Sequence, residues 1–134
     1  MRRHVLSVVA AASVVAALLW VAPTAAARDD AAVERAVVTF NEPVEVMRQF
    51  LMGSYVIEHD EGRMARGEPC THVYKGNDTA RPGPLVLAFH CVHRDRTPAA
   101  GTTVTLSRAA GIGGVKQLDE FQFAGSAAGH GVPR

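Results

Sequence analysis

Polar and apolar residues alternate in short bursts along most of this chain. AVVTF (36–40) is rich in β-branched residues and closes at Asn41-Glu42-Pro43, and VEVM (44–47) alternates apolar and polar positions. FLMGSYVIEH (50–59) carries a Gly53-Ser54 turn signal and then sets Tyr55, Ile57 and His59 on one face. CTHVY (70–74) precedes the turn-rich KGNDTARPGP, LVLAFHCVH (85–93) is the most apolar run, and TTVTLS (102–107) alternates threonine with Val104 and Leu106. VKQLDEFQFAG (115–125) puts Phe121 and Phe123 on one side, Glu120 and Gln122 on the other. A period of two, repeated about every ten residues, predicts strands. The expected fold is all-β: a small antiparallel sandwich or barrel of about six or seven strands over residues 36–125. Residues 28–35 read as an N-terminal arm, and the glycine- and alanine-rich 126–134 as a flexible tail. In that tail His130 has two readings, frayed and idle or folded back over a site.

Helical character is convincing only at the start. Arg2 and Arg3 precede an apolar run from Val5 to Ala22, Pro23 breaks it, and Ala25-Ala26-Ala27 leads into the charged Arg28-Asp29-Asp30. These are the three parts of a secretory signal peptide, with cleavage expected near Ala27 and export to the periplasm or medium. The rival is a retained membrane anchor, since the run approaches the shortest transmembrane span. Removing 27 of 134 residues leaves 107, one small domain, with 12 basic against 13 acidic side chains and a net charge of −1. That balance gives no electrostatic case for nucleic acid, and a membrane contact is expected only if the leader stays.

Only two cysteines are present, each with a histidine two residues on: Cys70 with His72, and Cys91 with His93. On a strand such pairs share a face. If 70–74 and 85–93 form a hairpin, one register sets Cys70 against Cys91 and sends His72 to Phe89 and His93 to Glu68. A shift of two residues instead sets Cys70 against His93 and His72 against Cys91, gathering two thiolates and two imidazoles as zinc or copper requires. An exported chain with two cysteines favours the disulfide. Closing a loop of about twenty residues would contribute roughly 3 kcal/mol, a large share of the about 5–15 kcal/mol of a small domain. A bridge leaves histidine-only binding open, and His72, His93 and His59 are the candidate ligands of a metal- or haem-associated domain.

The charged, glycine-punctuated DEGRMARGEP (60–69) reads as a solvated loop or as a binding loop over one mouth of the barrel, with Arg63, Met64 and Arg66 as its candidate contacts. Glu58, His59 and Asp60 form no triad, because His59 points away from its neighbours. No serine in a strand-to-helix elbow, phosphate loop or pair of carboxylates stands out, so an enzyme is not expected. The blocks EHDEGRMARGEPCTHVY, LVLAFHCVHRD and EFQFAGSAAGHGVP resemble a group of small exported bacterial β-proteins whose activity is unassigned. FLMGSY is similar to a turn of secreted β-domains, keeping its Gly53 and Tyr55. The resemblance implies a β fold and an envelope address, and no site residue.

The expected role is an exported, disulfide-stapled binding or interaction module with no cofactor, its partner an envelope protein or a small ligand; the alternative is a zinc- or copper-binding domain. The sole tryptophan, Trp20, lies in the leader. The purified exported form is therefore expected to show tyrosine emission only; indole fluorescence would show that the leader is retained.

Overall fold

The computed structural model describes residues 33–108 and 113–134; the expected leader and most of the arm lie outside them. Eight strands and one short helix follow in order: β1 (Val33–Val46), β2 (Gln49–Asp60), α1 (Glu61–Ala65), β3 (Thr71–Lys75), β4 (Leu85–Phe89), β5 (Val92–Asp95), β6 (Thr103–Arg108), β7 (Lys116–Gln122) and β8 (Ala128–Gly131). They form one sheet ordered β4-β3-β2-β1-β7-β8-β5, with β6 also paired to β7, curled into a half-barrel. The all-β expectation holds. The antiparallel one needs correction, because β1 and β7 run parallel through Val44↔Lys116 and Glu45↔Gln117. Among the described residues no helix is long and apolar enough to cross a membrane.

The period-two alternation places the core where it predicts. Val38 and Phe40 of β1, Tyr55 and Ile57 of β2, Val73 of β3, Leu87 and Phe89 of β4 and Phe121 of β7 are all buried in one cluster. The breaks fall elsewhere than expected. Asn41-Glu42-Pro43 does not end a strand: the register slips between Phe40 and Val44, and β1 continues through a bulge that absorbs the proline, which has no N–H for a ladder. Beyond the bulge, β1 reaches β7. The hairpin turn is Met47-Arg48 rather than Gly53-Ser54, with both residues at positive φ (48° and 66°) between paired Val46 and Gln49. A two-residue turn of this hand matches strand twist and normally recruits glycine or asparagine. Gly53 lies inside β2 at φ 91°.

A larger departure concerns residues 85–93, expected as one strand. The chain leaves the sheet after Phe89 and re-enters it at Val92. Strands β4 and β5 are the two ends of the sheet order, so the two-residue joint His90-Cys91 carries the chain from one edge to the other. An open sheet could not satisfy so short a connection. Curling is therefore a covalent requirement, and the joint marks the seam.

The expected tail is also ordered, and the arm contributes residues 33–35 to β1. Strand β8 lies between β7 and β5, with Phe121↔His130 on one side and His93↔His130 on the other. Its glycines are what admit it. Glu120 of β7 reaches across β8 to β5, accepting two hydrogen bonds from Arg96 at 2.8 Å each and one from Arg94 at 2.9 Å. A side chain at Gly129 would stand 2.6 Å from Glu120 Oε1, and one at Gly131 2.9 Å from Arg94 Nε. Glycine-rich composition here marks a groove for an ion bridge rather than a flexible end.

The Arg96 guanidinium, seconded by Arg94, holds the buried Glu120 carboxyl below its usual range although desolvation opposes this. A depressed carboxyl stabilises the fold above the ordinary carboxylate range, and the contribution is lost as pH falls through the folded-state value. Glu120→Gln is expected to cost about 1.5–3 kcal/mol at neutral pH and to flatten the acid limb of a urea-stability profile. Gly129→Ala should cost about 1–3 kcal/mol by crowding the same bridge. An unchanged profile in both variants would show that the clasp is idle.

Candidate metal centre

The seam gathers three potential ligands that are far apart in sequence. His59 continues the inward row of Tyr55 and Ile57 to the end of β2, His130 projects inward from β8 between its two glycines, and Cys91 sits in the joint. One donor atom from each lies within 4.8 Å of the others, with Cys91 Sγ 3.7 Å from His130 Nδ1. The rings of His59 and His130 are tilted at 36° with centroids 4.0 Å apart. Phe121 stacks on the His130 ring at 5.0 Å and Phe123 meets it at 5.7 Å, so the ring's orientation is fixed by packing.

Both histidines are sealed from solvent, at 0% and 1% exposure. Neither nitrogen of His59, nor Nε2 of His130, has a hydrogen-bond partner. Each buried polar group left in this state costs about 1–3 kcal/mol, and native folds rarely leave them so. Two carboxylates stand just beyond hydrogen-bond range: Glu61 Oε1 is 3.7 Å from His59 Nδ1, and Glu34 Oε2 is 3.9 Å from His130 Nε2. Burial, aided by the neighbouring His59, pushes His130 down to about 4. Burial also lowers His59 against the pull of Glu61 and Asp60. At neutral pH both rings are thus uncharged, the form that ligates metal. Desolvation, with a hydrogen bond to Cys70, pushes the Cys91 thiol up to about 12, so it ionises only when a cation takes the proton's place.

The sequence-predicted residues separate. The sulfurs of Cys70 and Cys91 do come together, 3.1 Å apart, but at a separation longer than the about 2.05 Å of a disulfide. Strands β3 and β4 pair as expected, but through Thr71↔Phe89 and His72↔Ala88, one residue from the cysteine-facing register, because Cys91 has turned into the joint. His72 pairs with Glu58 while His59 pairs with Thr71, so His72 points to the opposite face of the sheet. There its Nε2 accepts a hydrogen bond from Arg63 Nη1 at 2.8 Å. His93 is exposed on β5, 3.2 Å from Asp95. Neither belongs to the ligand group, whereas His59 does, with partners other than those expected.

The candidate binding loop folds as α1. Asp60 caps it by accepting from the Arg63 N–H at 3.0 Å, and Glu61 supplies an acidic first turn. Arg63 is spent on His72 and on Asp60 at 3.3 Å. Met64 is half-buried, and Arg66 pairs with Glu68 in solvent at 2.9 Å. The helix contributes to the centre through Glu61. Two surface hollows of about 340 and 410 Å³ are lined by other residues. Comparison with protein families, curated proteins and solved structures finds no match to this chain.

Replacing His59 by leucine removes two unpaired nitrogens and keeps an apolar body. In the presence of chelator, His59→Leu is expected to match or exceed the parent's stability by about 1 kcal/mol in urea denaturation. A loss of several kcal/mol would show that the imidazole has partners in the metal-free fold.

Proposed function

We propose that the chain is an exported β-domain that binds a transition metal, zinc or copper, through His59, Cys91 and His130. One observation carries the reading: two adjacent imidazoles are buried with three ring nitrogens unpartnered, beside a thiol within ligand range. Two neutral imidazoles and one thiolate suit a tetrahedral zinc with a fourth position open, and equally a trigonal copper site. His130 Nδ1 faces Cys91, while its Nε2 faces Glu34. Glu61 and Glu34, at 3.7 and 3.9 Å from His59 Nδ1 and His130 Nε2, stand on the sides from which outer carboxylates commonly orient ligating histidines. The signal-like leader supports export.

The sulfur separation of 3.1 Å favours a second reading, a domain stapled by a Cys70–Cys91 bridge that binds an envelope protein or a small ligand. Elemental analysis of protein purified under reducing conditions separates the two. On the metal reading, about one zinc or copper per chain is retained, His59→Ala and His130→Ala abolish retention, and His72→Ala and His93→Ala leave it unchanged. Reduced protein that retains no metal, and whose mass falls by two hydrogens once reductant is removed, would establish the staple instead.

A further inference from the structure

Cys91 is claimed twice. Its sulfur completes the histidine pair, and the same sulfur lies 3.1 Å from Cys70 Sγ. Cys70 is absent from the group whose donor atoms all lie within 4.8 Å of one another, so it is a neighbour of the centre rather than one of its three ligands. Its sulfur is nested against the joint, accepting the Cys91 backbone N–H at 3.3 Å and approaching the Phe89 carbonyl at 4.0 Å. That nest holds it facing Cys91. The two thiols also differ in access: Cys70 is 1% exposed, whereas Cys91 is half-buried.

Resting on the metal reading above, we propose that Cys70 is a resolving thiol that gates the centre, so that a bound divalent metal and a Cys70–Cys91 disulfide are mutually exclusive states of one sulfur. The electrons balance with a small-molecule disulfide as oxidant. The Cys91 thiolate leaves the metal and attacks one sulfur of the oxidant, forming a mixed disulfide and expelling one thiolate. Cys70 then attacks the Cys91 sulfur; the second half of the oxidant departs and takes the Cys70 proton. The products are an internal disulfide, a free divalent cation, one thiol and one thiolate. Partial exposure makes Cys91 the point of entry, and burial keeps Cys70 from external oxidants until Cys91 has reacted. A disulfide sulfur is no thiolate ligand, so two imidazoles are left to hold the cation. Its affinity falls at least by the 10–100-fold that loss of an indirect partner already costs.

The test loads the reduced full-length protein with zinc, adds oxidised glutathione, and follows zinc with a chelating dye and the disulfide by intact mass. Release of zinc in step with a loss of two hydrogens is expected, with recapture after reductant. Cys70→Ser should bind zinc when reduced but stop at a glutathione adduct, with no internal bridge. Should that variant fold poorly, the wild-type time courses decide alone. Zinc retained by protein carrying the internal disulfide would overturn the gate and leave the metal reading standing. Failure of the reduced wild type to bind zinc would overturn both.

Discussion

A two-residue connection between opposite ends of one sheet governs this fold. Strands β4 and β5 occupy the two edges of the sheet order, yet only His90 and Cys91 separate them in the chain. The sheet must curl until its edges meet at the joint. Strand β7 makes the curl possible: β6 pairs along it from Lys116 to Gln122, so β1 and β8 share the opposite edge, β1 at its start and β8 at its end. The bulge at Asn41-Glu42-Pro43 bends β1 into its share. The seam so created is the one place where side chains from β2, β8 and the joint converge, which is why the polar cluster lies there.

The centre is held from outside as much as from within. His130 faces inward because the glycines on either side leave the outer surface of β8 free for the bridge from Glu120 to Arg94 and Arg96. One strand thus carries an ion clasp on its outer side and an imidazole on its inner side. Inside, aromatic stacking joins the single long contact from Nδ1 to Cys91 Sγ in orienting the ring. An apolar pair in place of the two histidines would be less costly to bury, so the chain keeps a polar arrangement that packing alone would not select.

Much of the scaffold was legible in the sequence, for a physical reason. Alternation reports which face of a strand is buried, and Tyr55, Ile57, Phe121 and Phe123 lie on the side their spacing assigns. What escaped were features that alternation cannot encode. The apolar run 85–93 contains no glycine or proline at its break, since the chain turns there to satisfy topology rather than local preference. Gly129 and Gly131 read as flexibility because composition cannot tell a mobile glycine from one that makes room for a neighbour. Pairing each cysteine with the histidine two residues on was the natural reading of spacing. Cys91 does lie against Cys70, as expected, but the imidazoles beside it are those of residues 59 and 130, brought in by long-range closure; only the fold-back reading of His130 pointed that way.

The joint has a consequence for how the protein comes into being. A chain synthesised from its N-terminus presents His59 early and Cys91 later, while His130 arrives only with β8, the strand that slots between β7 and β5. Contacts this far apart form late and slowly. No nascent fragment that stops short of β8 contains all three of His59, Cys91 and His130, so the cluster cannot assemble on a growing polypeptide. On the metal reading, capture of the cation is thereby deferred to the completed molecule.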